Sequence, residues 1–453
     1  MTIGLRDIEI PDFGLPVERP AIPAETYEAR CAEAFRRVGV DWLAVYADRE
    51  HAANVAFLTG FDPRFEEAIL LLGSGGRRIV ITGNENLGYT PVAGLPGLET
   101  VLAQSLSLMA QDRTLKPDLV GVLREAGLRA GDSVGLVGWK YLEAGEWAGP
   151  RATFFVPAFI VDAISAVVGR EVLSDATAVL MHPADGLRAV VDADQIAEAE
   201  WGAARSAAAV WRIVSGFRLG DSELQAASRM GYAGEPMSCH PMLASSDRSG
   251  PVIGLRSATA RVPGRGDGVT TAVGYWGGLT ARGGLLAEHD DAFLAVASAY
   301  FLGLAAWYET AALGVEGGAV HEAVISTLAR GGLRPALNPG HLVGLDEWVN
   351  SPIRPGSMER IVSGMPFQVD IIPVPMPDGW TLNCEDPVTF ADAGLRATLA
   401  ERHPALASRC EVRRRFVEDR IGIAVRDDIL LLSAIPLCLA PFWLASGRLL
   451  SRA

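Results

Sequence analysis

Three stretches in the second half of the chain set polar side chains among apolar or glycine-rich neighbours. They are GDGVTTAVG (266–274), PGHLVGL (339–345), and GMPFQVD (364–370) followed by LNCEDPVTF (382–390). Between them they offer one imidazole, His341, and two carboxyls, Asp370 and Glu385. A neutral imidazole with two carboxylates can hold one divalent ion with open coordination positions, as catalytic zinc and non-haem iron sites do. The same groups can equally form a metal-free acid–base set, because neighbouring carboxyls repel and one keeps its proton. Each group also has a plainer reading. A histidine after glycine in a strand-like run is ordinarily structural, and Glu385 beside Asp386 suits a turn. Asp370, inside FQVDII, must find a proton, a cation or donors if it is buried. Arg282, in LTARGG, could pair with one of these acids as a structural ion pair or could face substrate. Tyr275, Trp276 and Trp348 could line an apolar substrate pocket or fill core. Cys239 and His240 could suggest a thiolate–imidazole pair, but adjacent residues rarely orient that way and cysteine is commonly just buried. GDGVTTAVG lacks the GK[ST] and following helix of a phosphate loop.

The elements that must position these residues can be read in outline. Residues 1–22 are proline-rich and read as an arm. YEARCAEAFRRVGV (27–40) has helical spacing, with Thr26 as a cap and Gly39 as a stop. Strand-like runs follow: WLAVYA, NVAFLTGF, AILLLG and RRIVITG. A helix, PDLVGVLREAG, ends at Gly127, and SVGLVG is a further strand. This alternation predicts an α/β domain over 23–188. A long helix then opens at Asp192 or Asp194 and closes at Gly216. DSELQAASRMG is a second helix, capped by Asp221. After Gly250 the texture turns β-rich, two more helices follow (DDAFLAVASAYFLGLAAWYET and AVHEAVISTLARGG), and strands return after Gly340. Residues 189–453 therefore read as an α+β domain with a C-terminal extension. The uncharged stretch Ile429–Gly447 approaches membrane-spanning length. Pro436 and Pro441 break it into ILLLSAIPL and CLAPFWLAS, so short buried strands, or a strand and a loop, are expected in place of a span.

Composition bounds the function. The chain has 453 residues, 49% hydrophobic and 21% charged. That supports large cores and excludes a disordered or collagen-like chain. A net charge of −14 argues against a nucleic-acid partner. The five cysteines are odd in number and form no CxxC, which fits a reducing cytoplasm better than a disulfide framework or structural zinc. The N-terminus has no apolar h-region, so no signal peptide is expected.

In order and spacing, the three stretches resemble the creatinase, prolidase and methionine-aminopeptidase superfamily, the pita-bread enzymes. Their pattern runs GDxVxxDxG, a GYxxDxTR-like segment, GHGIGL, GMVxTxEPG and RIEDxV. NVAFLTGF (54–61) looks like a strand of the creatinase-type N-terminal domain. The helix over 192–216 and the Gly220/Glu223 segment look like the start of the family's catalytic domain. The resemblance spans about residues 25–445. It implies a creatinase-like N-terminal domain, a pita-bread catalytic domain and a homodimer.

The departures from the pattern matter as much. Family peptidases hold two metal ions with two Asp, one His and two Glu. Here the first Asp position is Ala272, and the second falls at Gly278 or Gly283, where no carboxylate exists. His341 is kept, Asp370 stands for the first Glu and Glu385 for the last. A clamp for two cations needs bridging carboxylates, so a dinuclear centre is not expected. The expected cofactor is none or, alternatively, one divalent ion (zinc, manganese or iron) on His341, Asp370 and Glu385. Trp348 replaces a family histidine, Asn383 an arginine, and His240 is the nearest substitute for an upstream substrate histidine. Arg64 and Phe65 lie where a neighbouring subunit's N-terminal domain could reach an active site. The expectation is a creatinase-like hydrolase, or less readily a lyase, of a small non-peptide substrate. Glu385 or His341 would take a proton from water while Asp370 orients or protonates and Arg282 neutralises charge. The alternatives are a single-metal Xaa-Pro aminopeptidase or prolidase, and an inactive family member acting as a binding or scaffold protein.

Overall fold

The computed structural model describes residues 3–452. It divides into two units, Ala21–Arg188 and Met1–Pro20 with Ala189–Ala453. The first strand, β1 (Ile3–Asp7), belongs to the second unit. The segment expected to be only an arm thus begins as a paired strand.

The Ala21–Arg188 unit opens with α1 (Ala24–Val38), which Gly39 ends at φ 67. Its N-cap is Pro23, not Thr26. Next come β2 (Trp42–Ala47), α2 (Ala53–Thr59), β3 (Ala68–Gly73), β4 (Arg77–Thr82), α3 (Asn84–Leu87) and β5 (Glu99–Leu102). They are followed by α4 (Leu119–Ala126), β6 (Val134–Val137), α5 (Ala158–Val168), β7 (Leu173–Asp175) and α6 (Ala178–Met181). The sheet order is β5-β4-β3-β2-β6-β7, with antiparallel hairpins in the middle and parallel pairs towards both edges. NVAFLTGF, expected as a strand, is α2. Every residue of that helix is buried, and a short apolar run buried on all sides does not reveal its period.

The second unit continues with α7 (Ala193–Gly216), capped by the Asp192 side chain on Gln195 N. In α8 (Glu223–Ser228) the cap is Ser222 with Gln225, a reciprocal capping box, and not Asp221. Then follow β8 (Met242–Ser246), β9 (Gly268–Tyr275), β10 (Gly278–Leu285), α9 (Asp291–Thr310), α10 (Gly317–Ala329), β11 (Arg334–Pro335) and β12 (His341–Leu342). The chain ends through β13 (Pro366–Val369), β14 (Pro373–Val374), β15 (Asn383–Phe390), α11 (Ala393–Arg402), α12 (Pro404–Phe416), β16 (Ile429–Leu431) and β17 (Arg448–Arg452), which pairs with β1. The stretch Ile429–Gly447 begins as β16 and continues as loop and a short 3-10 turn, Trp443–Ala445. By length and composition α9 could cross a membrane. In the fold it is a core helix, with Phe301, Trp307 and Tyr308 buried.

One antiparallel seven-stranded sheet organises this unit, in the order β12-β13-β15-β10-β9-β8 with β16 also on β15. Side chains alternate between faces along a strand, and register partners share a face. One face carries Phe367 and Phe390, which pack on Trp307 of α9, and Thr280, which meets Ser206 of α7. That face is covered by helices. The opposite face carries His341, Gln368, Glu385, Ala281, Ala272 and Met242.

Candidate active site

His341 enters from β12 immediately after Gly340, whose φ is +123. A Cβ at that glycine would lie 3.0 Å from Gln368 O and 3.1 Å from Trp307 Nε1, so the chain can pass there only as glycine. Leu342 N then donates to Asn350 O (2.7 Å), and Val349 N donates to Leu342 O (2.9 Å). This folds residues 343–349 back over the histidine. As a result Trp348 stacks on the imidazole, with ring centroids 4.0 Å apart and planes 18° apart. Glu347 Oε1 comes within 3.0 Å of His341 Nε2, although Nε2 makes no aligned hydrogen bond. Nδ1 faces Leu342 O at 3.2 Å, and since a carbonyl only accepts, Nδ1 carries a hydrogen.

Asp370 follows the last residue of β13, and Glu385 lies within β15. The β13–β15 ladder pairs Val369 with Asp386, so the next step brings Asp370 beside Glu385 on one face. Ligand atoms of His341, Asp370 and Glu385 all lie within 4.8 Å of one another, and all three residues are buried. Gln368, two residues before Asp370, donates from Nε2 to Glu385 Oε1 (2.9 Å) and to Leu279 O (2.6 Å). Asp370 Oδ1, Gln368 Oε1 and Asn383 Oδ1 are buried without a partner in the chain. Three unmatched acceptors on one face are a cost, and they call for a ligand that donates or carries positive charge.

Electrostatics follows burial. Loss of water raises the Asp370 carboxyl to about 6; His341 works against this shift and Glu347 adds to it. Burial, then the charges of Asp370 and Glu347, push Glu385 well above the ordinary glutamate range, with Gln368 holding it back in part. Burial pulls His341 down, but Glu347, then Asp370 and the Leu342 carbonyl outweigh it, and the imidazole is raised. A carboxyl of raised pKa beside a less perturbed one is the pattern of an acid paired with a base.

The structure does not bring every expected residue to this cluster. Arg282 alternates with Ala281 and so belongs to the helix-covered face. There its guanidinium meets both Asp386 oxygens at 2.9 Å and the carbonyls of Ala281, Glu385, Ile435 and Cys438. Both side chains are 2% exposed, so Arg282 is a buried structural cation and not a substrate contact. Tyr275 lies on the same covered face, buried, with its ring 6.3 Å from Tyr232. Trp276 sits at the β9–β10 turn beneath the guanidinium of Arg19. His240 is exposed, with Nε2 3.0 Å from Leu255 O, whereas its neighbour Cys239 packs against the apolar part of the site face. Arg64, in the other unit, pairs with Asp62 and Tyr89. Trp348 is the one expected aromatic found at the cluster. Glu347 and Gln368 were not anticipated from the sequence. Period-two alternation from Asp370 could have found Gln368, but nothing local marks Glu347.

The positions discussed for paired carboxylates are apolar. Ala272 is opposite Ala281, and Ala281 is opposite Glu385. Gly278 and Gly283 flank them along β10. No other His, Cys, Asp or Glu joins the metal-capable trio among the described residues. The residues present suit one cation at most: one imidazole, two carboxyls and a buried, unpartnered Asp370 Oδ1.

No protein-family model matches the chain, and no curated protein matches it. Solved structures do. The X-Pro aminopeptidase from Thermotoga maritima superposes with a TM-score of 0.62 at 16% identity, covering 81% of this chain and 95% of that one. The prolidase from Thermococcus sibiricus gives 0.62 at 17% identity, with 82% and 95% covered. The dipeptidase PepE from Mycobacterium ulcerans gives 0.60 at 18%, with 82% and 94% covered. The chain has the two-domain pita-bread fold of these prolidases and aminopeptidases.

Proposed function

We propose that this protein is a hydrolase that cleaves an amide-type C–N bond in a small, non-peptide substrate without a dinuclear metal centre. The observation that carries the reading is the row Glu385, Ala281, Ala272: polar catalytic groups continue into methyls where a second cation would need carboxylates. Within the polar part, the roles divide by environment. Glu385, the more strongly raised carboxyl, holds a proton for the departing nitrogen. Asp370, the less raised of the two, takes a proton from the attacking water. The imidazole of His341, held between Trp348 and Glu347, orients that water and carries positive charge beside the developing oxyanion. Gln368 fixes the Glu385 carboxyl through its Nε2.

A second reading has its own support. The unpartnered Asp370 Oδ1 and the closeness of the three ligand atoms also suit a single divalent ion on His341, Asp370 and Glu385. Such an ion would polarise the scissile carbonyl and acidify water.

The test is a panel of small amides and ureas assayed with wild type, His341→Ala and Glu385→Gln, together with elemental analysis of the purified protein. Loss of turnover in both variants with less than one equivalent of metal supports the first reading. One equivalent supports the second. If both variants hydrolyse as wild type does, the enzyme reading fails and a binding role takes its place. Two equivalents of metal with rapid Xaa-Pro cleavage would make it a peptidase instead.

A further inference from the structure

The sheet row that carries Glu385 changes character halfway along. Glu385, Ala281, Ala272 and Met242 are successive register partners on β15, β10, β9 and β8. Neighbouring strands lie about 4.7–4.9 Å apart, so the methyls begin one strand from the carboxyl and run for two more. Leu279, two residues from Ala281, shares their face, and Met242, Ala272, Leu279 and Ala281 form a hydrophobic cluster of their own. The helices α7 and α9 pack on the opposite face, so they do not cover it. Cys239, itself only partly buried, packs against the cluster. A Cβ added to Gly274 would lie 2.8 Å from Cys239 Sγ and 3.3 Å from Leu279 Cδ1, which puts the thiol directly over this strip. A buried apolar strip continuous with unmatched, buried acceptor oxygens is complementary to a molecule with N–H groups at one end and hydrocarbon at the other.

We infer, on the hydrolase reading above, that Ala281, Ala272, Met242, Leu279 and Cys239 form the hydrocarbon subsite of the substrate. The substrate is then an amide bearing a short aliphatic group next to the bond that breaks. Its N–H groups meet Asp370 Oδ1 and Gln368 Oε1, and its chain lies along the methyl row.

The test labels Cys239 in the full-length protein with methyl methanethiosulfonate, mapped by peptide mass, in the presence of acetamide, butanamide or hexanamide. The other four cysteines are at most 4% exposed, so Cys239 is the responsive thiol. Each added methylene is expected to lower the half-protecting concentration about fourfold, and Ala272→Leu, which fills the strip, should flatten the series. A wild-type series that is flat, or that shows no protection, overturns the subsite. So does a graded series that Ala272→Leu leaves unchanged. Hydrolysis is read separately: a graded series with turnover indifferent to Glu385→Gln keeps the subsite and removes the hydrolase reading, and a flat series with Glu385-dependent turnover does the reverse.

Discussion

Replacing Arg282 separates a structural cation from a substrate-binding one. The guanidinium and the Asp386 carboxylate are both 2% exposed, and Asp386 also accepts from Leu437 N at 2.9 Å. In Asp386→Asn the guanidinium keeps four carbonyl acceptors but no counter-charge. In Arg282→Met the carboxylate keeps one backbone donor and the weak Cys384 thiol. Breaking one side of a buried pair costs about 3–5 kcal/mol, because an uncompensated charge stays behind. That is a large share of the roughly 5–15 kcal/mol that a folded chain has in hand. Removing both charges in Arg282→Met/Asp386→Leu takes away the uncompensated charge, so the double variant should be more stable than the sum of the singles, with a coupling of about 0.5–3 kcal/mol or more. Urea titration monitored by tryptophan fluorescence reads this, since Trp307 and Trp443 are both buried in this unit. Amide turnover per folded molecule is measured in parallel. If Arg282→Met unfolds within about 1 kcal/mol of wild type yet loses turnover, the assignment of Arg282 to the covered face's ion pair is wrong and it belongs with substrate.

Three further outcomes follow from named contacts. Glu223, buried, accepts from Ser245 (Oγ 2.6 Å), Thr259 (Oγ1 2.6 Å) and Arg256 (2.8 Å); burial raises its carboxyl, but these donors outweigh it and the net shift is downward from 4.5. A depressed folded-state value gives stability that is present above 4.5 and fades as the pH falls through the lower value. Glu223→Gln should therefore cost about 1.5–3 kcal/mol at neutral pH in urea titrations and converge on wild type in acid; a gap that persists unchanged in acid refutes the charge argument. Gln368→Leu strips the donor from Glu385 and Leu279 O, and a loss of about 1–3 kcal/mol is expected; unchanged stability would mean that neither bond forms. Trp348→Ala removes the ring stacked on His341 and should lower kcat/KM roughly 2- to 10-fold, with Trp348→Phe recovering most of it; full activity in the alanine variant would detach the stack from catalysis.

The fold was legible because spaced motifs survive where overall similarity does not. His341, Asp370 and Glu385 each sit at a strand or strand end fixed by hydrogen-bond register, and their order along the chain identifies the scaffold. The misreadings have specific physical causes. In α2, burial on every side erased the periodicity that separates helix from strand. At α1 and α8 the caps lie one or more residues from the expected ones, because whether a side chain reaches an amide depends on the exit angle of the preceding chain. The two readings open for Arg282, structural ion pair or substrate contact, were not separable in sequence because adjacent strand residues face opposite ways, and only the register with β15 tells which of Ala281 and Arg282 shares a face with Glu385. Glu347 was invisible because its approach to His341 depends on the hairpin that Leu342 and Asn350 close.

The pairing of Ile3–Asp7 with Arg448–Arg452 has a bearing on how the protein is made. During synthesis Ile3–Asp7 leaves the ribosome long before its partner Arg448–Arg452 does. The Ala21–Arg188 unit, whose sheet closes within its own span, can meanwhile fold as it emerges. Completion of the other unit is thereby tied to the emergence of Arg448–Arg452, and its contacts of greatest sequence separation form at the end of a slow, closure-limited search. A truncation or stall upstream of Arg448 would leave the edge at Ile3–Asp7 open to pairing with other nascent chains.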